Sequence, residues 1–494
     1  MTRRPLRTAL VAAALALAAV PATASAAGSI EIGMADDNVL NGVIDGGPVP
    51  GGQDATLQKW KDSGVQDVRL FAKWDTMAPD AGATKPPAGK DLADPATYDF
   101  SGLDARINLV RKHGLNITLV VTGQAPVWGS QEPARRKAVW KPDPKKFGKF
   151  AEAVTKHVAA RVDRYIVWNE PNVGTWLQPQ YECAGTKCTP YAPHLYRELA
   201  RAGYAAIHAN DDVARVGIGA TSSKGNALAK GVATPMQPMV FLREMACVTS
   251  KYKATRKGAC KTFKPVTGET LAYHPHSSTI SPGTKDKDPG NARMGDLSRL
   301  TTVIDKLTAK KRVKVKGAKR LPLWLDEYAY ETNPPDTAHK EFPSPKTAAT
   351  WSQWAWSIAA RNPRVELLTQ YEWFDESTKV DEGRVANRWQ SGLYYIDGSP
   401  KPLAQVFAHP IFGWRTSKNG YVWGQVRPGD VALDVRVQRR SGSSWQDVKT
   451  VRTNANGLFQ LRVPASSSAK YRYVYVDPVS GQEAASASTT LRKG

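Results

Sequence analysis

Two glutamates occupy positions that chains ordinarily fill with apolar residues. Glu170 closes the run Tyr165-Ile166-Val167-Trp168-Asn169 and is followed by Pro171-Asn172, while Glu327 follows Leu321-Pro322-Leu323-Trp324-Leu325-Asp326 and precedes Tyr328. Proline has no N–H for a sheet ladder, so Pro171 stops a strand directly after Glu170. A carboxylate that ends a strand covered on both faces is not there to solvate a surface. Two carboxylates in unlike surroundings hold the parts needed to cleave an acetal. One gives a proton to the leaving oxygen, and the other traps or stabilises an oxocarbenium-like centre. A gap of about 5–5.5 Å between them would mean retained anomeric configuration, and about 6.5–9.5 Å inversion.

The elements that must bring these acids together are legible as a rhythm of short apolar runs alternating with helical stripes. Eight runs are expected to be strands: Ile30 to Ala35, Val65 to Ala72, Asn116 to Thr122, Arg164 to Trp168, Val213 to Ala220, Thr270 to His274, Leu321 to Leu325 and Val365 to Trp373. Between them lie stripes at i, i+3, i+4 spacing, such as Phe147, Phe150, Ala151, Val154 and Val158. Gly64 and Gly114 stand where helices must end before the next strand. Eight strand-then-helix units predict an α/β fold, a (β/α)8 TIM barrel over residues 27–410, whose active site belongs at the C-terminal ends of the strands. After His409-Pro410 the period changes to two, with turn signals at Arg427-Pro428-Gly429 and Asn454-Ala455-Asn456-Gly457. Residues 411–494 are therefore expected to form a small antiparallel, Ig-like β-sandwich.

The same strings carry a resemblance. Val-Trp-Asn-Glu-Pro-Asn at 167–172, followed three units later by Trp-Leu-Asp-Glu-Tyr at 324–328, resembles the clan A retaining glycoside hydrolases, and within them family 39 most. Val68-Arg69-Leu70-Phe71-Ala72-Lys73-Trp74, Tyr98-Asp99-Phe100, Ala125-Pro126-Val127-Trp128, His274-Pro275-His276 and Gly392-Leu393-Tyr394 through Lys401-Pro402 extend it over about residues 30–409. The resemblance implies that Glu170 is the general acid/base, Glu327 the nucleophile, Asn169 the partner of the sugar 2-hydroxyl, and Arg69 the charge that keeps Glu327 ionised. Many relatives carry Thr where this chain has Asp326, and Tyr where it has His276, so Tyr328 or His276 is expected to donate to the nucleophile instead. His274 and His276 share a strand face and could bind a metal, but no third ligand is evident, so no metal or organic cofactor is implied. Trp74, Trp128, Trp176, Trp373 and Trp389 fall at strand ends or in loops, where an indole can stack on a pyranose or line a core. Trp351 and Trp354 read as helix core.

Composition bounds the partners. The chain has 494 residues and a net charge of +23, and Arg3, Arg4 and Arg7 precede an apolar run from Ala9 to Val20 and then Ala24-Ser25-Ala26. These are the parts of a secretory signal peptide over residues 1–26, implying a secreted protein without membrane insertion. The four cysteines then read as two local disulfides, Cys183 with Cys188 and Cys247 with Cys260, the economical choice among three pairings. Thirteen basic against five acidic residues place +8 on residues 411–494. The run Lys310-Lys311-Arg312-Val313-Lys314-Val315-Lys316 precedes a strand and so faces away from the expected active site. It reads as a solvated charged loop, with weak, salt-sensitive attachment to an anionic cell-envelope polymer as its alternative and no nucleic-acid partner. A monomer with a carbohydrate substrate is the expected state. A polysaccharide-binding barrel that has lost turnover is the competing expectation, which the Asp326 and His276 departures would permit.

Overall fold

A computed structural model describes residues 29–377 and 389–493; the expected leader, residues 1–26, lies outside the described residues. Eight parallel strands close into a barrel: β1 (Glu31–Ala35), β2 (Asp67–Lys73), β3 (Asn116–Thr122), β4 (Arg164–Val167), β5 (Val216–Ser222), β6 (Thr270–His274), β7 (Leu323–Tyr328) and β8 (Val365–Tyr371). Each neighbours the next in sequence, and β8 returns to β1 with Glu31 opposite Leu367. All eight apolar runs are thus strands, with two informative shifts. The fifth starts at Val216 rather than Val213, whose side chain is exposed, and the seventh runs on through both of its acids.

Period-two alternation sorts the barrel residues into two populations. Phe71, Val120, Ile166, Ala220, Ala272, Trp324 and Leu367, one from each of seven strands, form an apolar cluster of their own inside the barrel. Residues one step further along the same inward faces, Arg69 before Phe71, His274 after Ala272 and Asp326 after Trp324, are where polar groups can enter. The outward residues pack against amphipathic helices. In Pro144–Val158, Asp143 caps the first turn, Pro144 occupies the first helical position, and Phe147, Phe150, Ala151, Val154 and Val158 are buried.

A second sheet begins at Ile411. Its strands are β9 (Ile411–Arg415), β10 (Gly420–Gln425), β11 (Asp434–Ser441), β12 (Ser444–Arg452), β13 (Leu458–Val463), β14 (Lys470–Val476), β15 (Glu483–Ala485) and β16 (Thr489–Lys493). The order is β12-β11-β14-β16-β9-β10-β13, with β15 on β14. It folds as a sandwich over its own core, in which Val422, Val435, Val437, Phe459, Tyr471 and Tyr473 are buried. The antiparallel expectation needs one correction: β9 pairs with the last strand, β16, in parallel. Parallel neighbours need a long crossover rather than a tight hairpin, so local turn signals carry no trace of this pairing.

The sandwich is seated on the barrel through Arg427. Its guanidinium lies over Trp356 and Phe407, at 4.9 and 4.7 Å from the ring centroids, and donates to the Phe407 carbonyl at 2.6 Å. Gly64 lies beneath it with φ +85°, and a Cβ there would sit 2.5 Å from the Arg427 Cβ. Gly64→Ala would meet both a left-handed backbone and a clash, so a loss of about 1–3 kcal/mol and a lower Tm are expected in thermal unfolding. Trp354, expected in the helix core, is half-buried and stacks on Phe412 of β9 at 5.3 Å, so it belongs to this junction. Trp351 is also half-buried and packs on Tyr330.

The basic run differs from a plain loop. Val313–Val315 pairs in parallel with Val266–Gly268, and Arg312 turns inward over Phe263 to donate to the carbonyls of Ala246 and Cys247. Both expected disulfides are present: Cys183–Cys188 closes the hairpin of Tyr181–Ala184 and Lys187–Pro190, and Cys247–Cys260 closes a 13-residue separation.

Candidate active site

Glu170 reaches the barrel mouth because the backbone turns sharply as β4 ends. Trp168 and Glu170 both hold positive φ, +69° and +36°, values a non-glycine residue adopts only where the surroundings enforce them. Backbone bonds enforce them here, Trp168 N–H to the Val121 carbonyl and Glu170 N–H to the Ala220 carbonyl, both at 2.9 Å. On β7 the difficulty is different, since neighbours on a regular strand face opposite ways. The ladder between β7 and β8 changes register between Leu325 and Tyr328, and this irregularity lets Asp326 and Glu327 both address the mouth.

The two glutamates meet at one imidazole. His274 Nδ1 lies 3.0 Å from Glu170 Oε1 and 3.2 Å from Glu327 Oε2. Two oxygens that touch one nitrogen at those distances are no farther apart than their sum, about 6 Å. On the ring's other side Nε2 lies 3.2 Å from Asp326 Oδ2. Asp326 Oδ2 also accepts from Arg69 Nε at 3.1 Å, and Oδ1 from the Tyr273 N–H at 3.0 Å, so this wholly buried carboxylate has three donors. Arg69 is spent in the same way. Nη2 donates to Asn169 Oδ1 at 2.6 Å, and Nη1 stands 2.8 Å from Glu327 Oε1 as a close ion pair without hydrogen-bond alignment.

Protonation follows from this charge pattern. Burial disfavours a charged His274, but Glu327, Asp326 and Glu170 overcome it and push its pKa up to about 10, making the ring an imidazolium at neutral pH. Burial likewise works against charge on Glu327, but His274, Arg69 and His276 hold its carboxyl well below the ordinary carboxylate range. Asp326 is lowered against its burial by His274 and Arg69.

The other expected residues divide. Asn169 is buried beside Arg69, and because a guanidinium only donates, its Oδ1 is fixed toward Arg69 and its NH2 is left as the donor side. His276 is buried with Nε2 3.7 Å from Glu327 Oε2, too long for a hydrogen bond, and neither ring nitrogen has a hydrogen-bond partner among the described residues. Tyr328 turns its hydroxyl to Ser277 Oγ at 3.5 Å rather than to Glu327, and burial pushes its pKa up. Of the two groups expected to serve Glu327, Tyr328 thus turns away and His276 stands 3.7 Å from it, while His274 Nδ1 hydrogen-bonds Glu170 and meets Glu327 as an ion pair at 3.2 Å. Trp74, Trp128 and Trp373 do not present faces to the mouth. Trp74 starts a helical turn directly after β2 and so points outward, stacked on Phe150 at 5.7 Å and edge-on to Trp128. Trp373 packs between Trp60 and Phe407. Half-buried Trp389 and Trp176 are the indoles at the mouth: the first lies 5.1 Å from the His276 ring, and the second stacks on Phe71 at 5.9 Å. A cleft of about 470 Å³, lined by Gln124, Lys137, Val139, Val173, Thr175 and Gln178, opens beside the loop that carries Glu170.

No protein-family model and no curated protein sequence matches the chain. Among solved structures it is similar to a family 39 glycoside hydrolase from Bacteroides cellulosilyticus WH2, with 11% identity over 89% of this chain and 81% of that one and a TM-score of 0.47. It is also similar to a glucosidase from Croceicoccus marinus, with 13% identity over 91% and 96% of the two chains and a TM-score of 0.48. A GH39 β-xylosidase from Caulobacter crescentus gives 16% identity over 85% and 84% of the chains and a TM-score of 0.46.

Proposed function

We propose that the chain is a secreted glycoside hydrolase, resembling family 39 of clan A, that cleaves a β-glycosidic bond of a poly- or oligosaccharide with retention. The observation that carries this is the convergence of Glu170 and Glu327 on His274 Nδ1, which bounds their nearest oxygens at about 6 Å, under the inverting range. In the first step Glu327 Oε2 bonds to the anomeric carbon while the leaving oxygen departs with a proton from Glu170, toward the cleft beside the Glu170 loop. In the second, Glu170 takes a proton from water, whose oxygen displaces the Glu327 ester. The Nδ1–H of His274 can serve both steps. Its charge stands 3.2 Å from the Glu327 anion before the ester forms, and its hydrogen bond to Glu170 Oε1 steadies the carboxylate left once that proton has gone.

The competing binder reading rested on Asp326 and His276. Asp326 now has an evident task, anchoring Arg69 and His274, which favours an enzyme. No helix among the described residues is long and apolar enough to cross a membrane, and two disulfides fit export with cleavage near Ala26. A screen of glycan hydrolysis with product anomers followed by NMR tests the reading. The β-anomer must form first and mutarotate later; initial α-anomer would overturn retention. A 2-fluoroglycoside of the cleaved sugar is expected to inactivate the enzyme and add one glycosyl unit to the Glu327 peptide by mass spectrometry. An unmodified chain under those conditions would support the binder.

A further inference from the structure

We infer that His274, His276 and Glu327 form a site for a single zinc-type divalent cation, placed so that occupying it removes Glu327 from use. The claim that occupancy silences turnover rests on the glycosidase reading; the site itself does not.

Three observations converge. His274, His276 and Glu327 each bring one ligand atom within 4.8 Å of the other two, and Glu327 Oε2 lies 3.2 Å from His274 Nδ1 and 3.7 Å from His276 Nε2. Tetrahedral zinc with arms of 2.0–2.1 Å sets its donor atoms about 3.3 Å apart, so both edges that meet at Glu327 Oε2 are already close to that spacing. Next, His274 is oriented as metal-binding histidines are, with its far nitrogen held by a carboxylate, Asp326, and its near nitrogen aimed at the cluster. Finally, His276 is 6% exposed yet among the described residues neither of its ring nitrogens has a hydrogen-bond partner, which is costly for a buried imidazole unless a ligand arrives to meet it. Glu170 Oε1, 3.0 Å from His274 Nδ1, or a water can complete the fourth corner.

Charge and donor type fix the class of ion. With His274 having given its Nδ1 proton to the buffer, Glu327 and Asp326 against Arg69 leave a net negative charge beside the cluster, which favours a cation. Two imidazole nitrogens and one carboxylate suit zinc; calcium and magnesium prefer all-oxygen shells.

The test is zinc chloride titrated into the full chain by calorimetry at pH 7.5, in two buffers of different ionisation enthalpy, with magnesium and calcium alongside. One zinc per chain is expected, with net proton release, no heat from the hard cations and a raised Tm. In His276→Gln, which keeps the volume without the imidazole, and in His276→Ala, affinity should fall at least tenfold with the far-UV spectrum unchanged. Equal binding by native chain and His276→Gln, or none by the native chain, overturns the site. Zinc bound as expected by a chain that hydrolyses no glycan keeps the site and removes the glycosidase. Hydrolysis with no zinc heat does the reverse.

Discussion

Glu327→Gln is expected to lower kcat/KM by roughly four orders of magnitude or more, because the amide cannot form the glycosyl ester while substrate binding persists. Its neighbours make the loss deeper than a missing nucleophile alone. Arg69 Nη1 and His274 Nδ1 stand 2.8 and 3.2 Å from its oxygens as ion-pair partners, and an amide nitrogen placed against either would set one donor group against another. Glu170→Gln should behave differently with substrate. On a glycoside whose leaving group needs no proton, the first step survives and the glycosyl-enzyme accumulates, giving a burst followed by slow turnover. The truncated variants separate the roles by stereochemistry. Azide added to Glu327→Gly enters from the nucleophile's face and yields the α-glycosyl azide, whereas azide added to Glu170→Ala replaces the second-step water and yields the β-product. Product NMR reads both, and exchanged anomers would reverse the assignment.

Asp326→Asn is the second large effect. The carboxylate lies between two buried cations, accepting from Arg69 Nε and His274 Nε2. Asparagine can still accept from the Tyr273 N–H but must then turn its own N–H2 toward both cations. Removing one partner of a buried charge set costs about 3–5 kcal/mol, read as a lower midpoint in denaturant unfolding. The pH dependence changes as well. The His274 pKa is raised from 6.5 to about 10 on folding, so its contribution to stability is complete below about pH 6.5 and lost as pH rises through 10. Asp326 and Glu327 are lowered, so theirs is present above the ordinary carboxylate range and lost as pH falls through their depressed values. With Asp326 gone the imidazolium loses one of its three anions, so the alkaline limb of both stability and kcat/KM should move from near pH 10 toward neutrality. An unmoved limb would mean that His274 is not the group titrating there.

Much of this was readable from residue order, and what was not has identifiable causes. The eight strands stood out because parallel strands covered on both faces must be continuously apolar, and Pro171 marked where β4 had to stop. The pair Glu170 and Glu327 could be placed because barrel chemistry gathers at strand ends. The task of Asp326 could not. Strict alternation assigns neighbours on a strand to opposite faces, and only the register change on β7 brings Asp326 and Glu327 to one side. The signal available was the aspartate itself, a charge one residue from the expected nucleophile in an apolar run. The tryptophans failed for another reason. A residue at a strand end can turn into the mouth or out under the helix layer, and Trp74, Trp128 and Trp373 turned out. Spacing does not distinguish those directions.

The anchoring of Arg69, Asp326 and His274 by one another has a consequence for how this barrel can change. Any single exchange among the three leaves a charge unmatched in a dry interior, so each step taken alone leads downhill, while a joint exchange that keeps their summed charge need not. The three positions, far apart in the chain, therefore constitute one unit of inheritance. A library randomised at all three together should yield active variants that site-by-site saturation would discard.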